Sequence, residues 1–200
     1  MNILALEPYY GGSHRAFLDG WIKHSTHDWT LFQLKPFHWK WRMHHSAATF
    51  AEQAREAMDR GEDWDLLFCS SMLDLATFLG LAPARFHELP RVVYFHENQL
   101  TYPLPEGREP DYHYAFIHLT TGQAATALWF NSDFHRNEFF EAVTDWIGTM
   151  PKPKPLPAIE RMRDIAQVHP PGIDPIEPSL EMRHETSEDR GPPTNIWEIP

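Results

Sequence analysis

His96, Glu97 and Asn98 stand in a row directly after the apolar run Val92–Phe95. A short β-rich run bounded by polar residues reads as a buried strand. In open α/β sheets, ligands gather outside the carboxyl ends of the strands. An imidazole placed there can hydrogen-bond a hydroxyl or move a proton near neutral pH, and a carboxylate beside it can orient the ring or stabilise developing positive charge. The competing reading is an edge loop whose polar residues satisfy turn backbone. The same arrangement occurs at the start of the chain, where the strand-like Asn2–Glu7 runs into Gly11, Gly12, Ser13 and His14. Amides between a strand and a helix N-terminus can meet an anion, and Gly11 and Gly12 admit close backbone approach. A tight turn is the alternative, since the third glycine of the dinucleotide fingerprint is absent. If the strands are parallel neighbours, the two loops share one pocket mouth.

A third candidate is the stretch Lys35–His45. Lys35, Lys40 and Arg42 are interleaved there with Phe37, Trp39 and Trp41 and with three histidines, and no acid interrupts them. Rings that stack on bases beside cations that meet phosphates suit a nucleic-acid or nucleoside surface. Alternatively, Trp39 and Trp41 plug the core while the charges are solvated.

Other chemistries find no support in the residues. Cys69 is the single cysteine, which excludes an internal disulfide and fits a reducing compartment; its apolar setting suits a structural thiol rather than a nucleophile. His113 and His118 lie five residues apart, a poor spacing for one metal on one helix, so no metal is expected. A paired-cysteine site, a His-Glu-x-x-His motif, a P-loop and a nucleophilic-serine elbow are all missing. A net charge of −11 argues against a broad phosphate-gripping face. No apolar run approaches the ~20 residues of a membrane span, and the first residues lack a signal-peptide pattern. A cytosolic protein is expected.

These loops need a frame, and the apolar pattern supplies one. Strands are predicted at Asn2–Glu7, Trp29–Leu34, Asp65–Ser70, Arg91–Phe95, Leu128–Asn131 and Ile165–Val168. Helices are predicted after a Ser13 cap (carrying Phe17, Leu18, Trp21 and Ile22) and at Ala47–Arg60, Met72–Leu79, Tyr112–Thr126, Asp133–Trp146 and Ala158–Asp164. Strands alternating with helices indicate an α/β fold, a Rossmann-like parallel sheet with helices on both faces. The run Pro151–Pro157 reads as an extended spacer. From Met1 to Asp174 the chain reads as one domain. Beyond it, residues 175–200 form an acidic, proline-bearing tail, read as a disordered or linker segment.

The motifs Pro8–His14 and Tyr94–Pro103 resemble those of the tRNA-queuosine α-mannosyltransferases, as do Trp129–Ser132 and His169–Asp174, the last shared with related retaining glycosyltransferases. The resemblance spans roughly Met1–Asp174. It implies the N-terminal, acceptor-side half of a GT-B enzyme that moves mannose from GDP-mannose to queuosine in a tRNA anticodon, without a cofactor or metal. It also implies site roles. Gly11, Gly12, Ser13 and His14 become the loop at the donor phosphate and sugar, with His96 touching the donor sugar and Glu97 its catalytic partner. Asn98, Gln99, Lys35, Trp39, Lys40 and Arg42 face the acceptor. A donor domain is expected after this one; residues 175–200 are read as a truncated interdomain linker and Thr194–Pro200 as a remnant of that domain's first strand, which would leave the chain nearly inactive alone. The rival reading is a non-catalytic module that binds tRNA or another partner; a divergent hydrolase using His96 and Glu97 is a weaker third.

Overall fold

The computed structural model describes residues 1–103, 107 and 111–173. The acidic tail, with Thr194–Pro200, lies outside the described residues. Six strands form one wholly parallel sheet: β1 (Asn2–Glu7), β2 (Asp28–Gln33), β3 (Leu66–Ser70), β4 (Arg91–Phe95), β5 (Ala127–Phe130) and β6 (Ala166–Val168). Their order is β2-β1-β3-β4-β5-β6. Each predicted strand is present, its ends displaced by a residue or so.

Strand alternation sends one set of side chains to each face of the sheet. Leu4, Leu6, Leu67, Cys69, Val93, Phe95, Leu128 and Phe130 join the larger core, while Ile3, Ala5, Phe68, Val92 and Tyr94 face a smaller one. Helix α1 (Gly12–His24) covers the smaller face. On the larger lie α2 (Trp39–Asp59), α3 (Leu75–Leu81), α4 (Tyr112–Ala124), α5 (Asp133–Thr149) and α6 (Leu156–Asp164). Right-handed crossovers require this asymmetry. The chain steps one way from β1 to β2, then returns past β1 and continues the other way, so only α1 lies on its face. That face is therefore thinly covered, and aromatic rings fill it. Trp21 lies 5.3 Å from Trp29 and 5.2 Å from Trp129, and Phe17 stacks on Tyr94 at 4.1 Å.

The reversal at β1 and β3 is the topological switch point, where ligands bind in such sheets. The carboxyl ends of β1, β3 and β4 open there, and the loops carrying Gly11–His14 and His96–Gln99 leave from them.

Several helix boundaries differ from those predicted. Ser13 is not the cap of α1: Gly11 occupies that position, and no side chain caps the helix. Helix α2 begins at Trp39 rather than Ala47, because its first turns bury Met43 against Met72, Tyr114 and Ile117. Trp41 meanwhile remains 61% exposed and Trp39 36%, so neither plugs the core. Helix α3 starts at Leu75, after Asp74 accepts the Thr77 amide. The proline-rich spacer ends early, since Pro157 serves the first turn of α6, where its missing N–H costs nothing.

Candidate active site

Glu7 ends β1 and is 2% exposed. One carboxylate oxygen accepts the Tyr9 amide at 2.8 Å and the Ser70 hydroxyl at 3.1 Å; the other faces His14 Nδ1 at 3.3 Å. The chain reaches His14 through a tight turn in which the Gly11 amide donates to the Tyr9 carbonyl and the Tyr10 amide to that of Leu34. Gly11 is packed so closely that a Cβ there would lie 2.4 Å from Pro36 Cγ. Gly12, with φ of 51°, lies in the left-handed region and faces open space.

Helix α1 thus begins with His14 buried at its third position, and its far nitrogen, Nε2, faces Glu97 Oε2 at 3.5 Å. The His14 ring stacks on His96 with 3.9 Å between centroids and 29° between planes. The edges of Phe17 and Tyr94 hold His96 from its other sides. The two loops therefore meet at one mouth, as the parallel-strand reading requires. One role differs: Glu97 pairs with His14, not with the imidazole adjoining it in sequence.

Carboxylate oxygens only accept, so an imidazole between two of them must donate from both nitrogens. Burial pulls the His14 pKa down, but the bonds and charges of Glu7 and Glu97 outweigh it and raise the value to about 10. His96 moves oppositely: burial, then the His14 charge, lowers it to about 3. Burial alone would raise Glu97, yet the His14 bond and charge bring it below the usual carboxylate range. At neutral pH His14 is an imidazolium, His96 a neutral imidazole and Glu97 a carboxylate. His96 can accept a proton or hydrogen bond from a hydroxyl; Glu97 can accept a hydrogen bond or hold a cation.

Glu7, His14 and His96 each offer a ligand atom within 4.8 Å of the others. Both His14 nitrogens already face carboxylates, so an ion on this ring would have to displace Glu7 or Glu97 from it.

Glu97 and Gln99 line a cleft of about 200 Å³ with Tyr9, Trp39, Met72 and Tyr102. Asn98 is buried and its Oδ1 accepts the Leu100 amide at 3.0 Å, so it shapes its own loop. Lys40 pairs with Asp111 at 3.2 Å above the Trp39 and Tyr114 rings. Arg42 donates to the Lys35 carbonyl at 3.1 Å and lies over Phe37. Lys35 is exposed. Of the basic stretch, Trp39 reaches the cleft, while Lys40 and Arg42 are held by neighbours on the adjoining surface. Glu7 went unread in the sequence, although a carboxylate closing an apolar strand was its signal. Tyr9 and Tyr102 lie inside the Pro8–His14 and Tyr94–Pro103 motifs but were not singled out, and Met72 gave no signal, because the fold alone brings it to the cleft.

Residues 2–173 match the family described as tRNA-queuosine alpha-mannosyltransferase N-terminal. The chain belongs to that family. A relative, the tRNA-queuosine alpha-mannosyltransferase of Drosophila melanogaster, is 37% identical over 151 residues, covering 75% of this chain and 39% of that protein. The chain thus spans about two fifths of the length of the curated relative it matches. The family's N-terminal unit here is the six-stranded sheet, with the His14–His96 stack at its switch point. No helix among the described residues is long and apolar enough to cross a membrane.

Proposed function

We propose that this chain is the acceptor-side half of a retaining GT-B glycosyltransferase that moves mannose from GDP-mannose to queuosine in the anticodon of tRNA. The reaction runs in the cytosol without a metal, and a donor-binding domain supplies most contacts to the nucleotide. The observation that carries the reading is the convergence of the Gly11–His14 and His96–Glu97 loops at one mouth, His14 stacked on His96 at 3.9 Å. In this reading the open amide side of Gly12 lies beside the donor diphosphate, where helix N-terminal amides stabilise charge. His96, kept neutral by burial and by the His14 charge, hydrogen-bonds a hydroxyl of the transferred sugar. Trp39, Tyr9 and Tyr102 face the acceptor base across the cleft, with Glu97 and Gln99 as its polar contacts. Lys35, Lys40 and Arg42 lie on the adjoining surface, where tRNA phosphates would pass. The experiment is a chimera in which residues 2–173 replace the corresponding part of the Drosophila enzyme, assayed with GDP-mannose and queuosine tRNA. Mannosylated queuosine is expected, and its loss in the His96→Ala chimera; an inactive chimera that binds both substrates would contradict the reading.

A further inference from the structure

The sheet has two edges, and they are guarded differently. β6 is three residues long, short enough to offer little to another strand. β2 runs for six residues, Asp28–Gln33. The Asp28 amide donates to the Met1 carbonyl at 3.0 Å and the Leu34 amide to that of Glu7 at 3.0 Å. Alternate residues of a parallel ladder bond the same neighbour. Thr30 and Phe32 therefore also face β1, while the amides and carbonyls of Trp29, Leu31 and Gln33 point away from the sheet. No backbone partner meets those groups among the described residues. Between Asp28 and Lys35 the strand carries no charge, proline or bulge, the devices that keep an edge from pairing. Trp29, Thr30, Leu31 and Phe32 are half-buried. An open groove of about 300 Å³ runs beside them, lined by Leu31, Phe32 and Gln33 and, on α2, by Gln53, Glu56 and Arg60.

The ends of the strand select the partner and its direction. Acidic Asp28 stands at one end and basic Lys35 just past the other, both exposed. A second copy running parallel would set like beside like. Running antiparallel about a two-fold axis through Leu31, it brings each Asp28 beside the partner's Lys35. The same register pairs the outward groups, Trp29 with the partner's Gln33 and Leu31 with the partner's Leu31, each pair exchanging both amide–carbonyl bonds. We propose that β2 is the interface of a homodimer, in which two copies of this chain join their sheets edge to edge, antiparallel, with Leu31 on the two-fold axis. Leu31 then meets its counterpart on the α1 side of the sheet, and Phe32 covers the partner's Thr30 on the other, cross-strand contacts of the kind that stabilise a ladder. This interface is independent of sugar transfer.

The test is sedimentation equilibrium of the full chain over a concentration series, with cysteine cross-linking to read the register. A reversible monomer–dimer equilibrium is expected, with a Kd on the order of 10–100 μM for so small an interface. Asp28→Lys sets like charges together at both ends of the ladder and should weaken the dimer about tenfold. Adding Lys35→Asp to it restores the match and should return the parent affinity. Leu31→Cys places the thiols on an antiparallel pair with Cα atoms about 5.5 Å apart, inside the span of a disulfide, and should cross-link on mild oxidation. Gln33→Cys, about 13 Å out of register, should not; Cys69 is buried and stays out of the reaction. A chain that stays monomeric up to about 1 mM, a dimer indifferent to both charge variants, or cross-linking as fast through Gln33→Cys as through Leu31→Cys would each overturn the proposal. So would a monomer whose Leu31 and Gln33 amides are already protected from hydrogen exchange, since another part of the same chain would then hold the edge.

Discussion

His14 explains why the site needs Glu7, a residue that touches nothing outside the protein. Glu7 fixes the near nitrogen of the ring, and only then does the far nitrogen meet Glu97. Glu7→Gln removes one of the two charges that favour the imidazolium, so His14 should titrate at least about one unit lower. Imidazole carbon and nitrogen shifts across pH 6 to 11 would show it; an unmoved midpoint would mean that Glu7 does not govern His14. Of these residues, His96, Glu97 and Asn98 were legible because an apolar strand stops abruptly at them. Asn98 Oδ1 accepts the Leu100 amide within its own loop, a use that no sequence pattern separates from ligand binding. The burial of Glu7 and of His14 was not legible. A glutamate after a strand and a histidine in a first helical turn both look solvent-facing until the sheet brings β3 and β4 beside them.

The turn from β1 into α1 determines where His14 lies, and its two glycines act differently. Gly11 is demanded by contact with Pro36, whereas Gly12 is demanded by its own backbone angle. Gly11→Ala must push the β2–α2 connection away, at about 1–3 kcal/mol, and should also disturb His14. Gly12→Ala bears only the left-handed backbone cost of about 1–2 kcal/mol. Urea unfolding of the two variants, with the His14 shift as a second readout, separates these effects; an undisturbed His14 in Gly11→Ala would contradict the packing argument. Element type was readable throughout because strand and helix periodicities differ. The starts of α1 and α2 were not. Ser13 has the chemistry of a cap but sits one residue inside the helix from Gly12. Helix α2 opens without a side-chain cap, behind His38 at φ 54°, and the burial of Met43 by distant α4 extends it over residues that read as a loop. A basic-aromatic run predicts a surface; it does not reveal that Lys40 will be engaged by Asp111.

Across the molecule, one sheet order accounts for both the site and its electrical character. Right-handed crossovers place α1 alone on one face and set β1 at the switch point, so the first and fourth strands deliver their loops to one opening. The titrations there make stability depend on pH in both directions. His14 is raised from 6.5 to about 10, so its contribution is complete below about pH 6.5 and is lost as pH rises through 10. His96 and His118 are depressed to about 3 and 4; theirs is present above about 6.5 and lost as pH falls toward those values. Unfolding midpoints in urea should therefore peak near neutral pH, with the alkaline slope flattened in Glu7→Gln. A profile level from pH 6.5 to 10 would contradict the doubly paired imidazolium. The most direct test of the shared mouth is steady-state kinetics of the chimera carrying His96→Ala. Loss of a group acting on the transferred sugar predicts a fall in kcat of about a hundredfold or more, with the Kd for queuosine tRNA unchanged. Unaltered turnover, or a loss confined to tRNA binding, would remove His96 from the chemistry and with it the reading of this mouth as a transfer site.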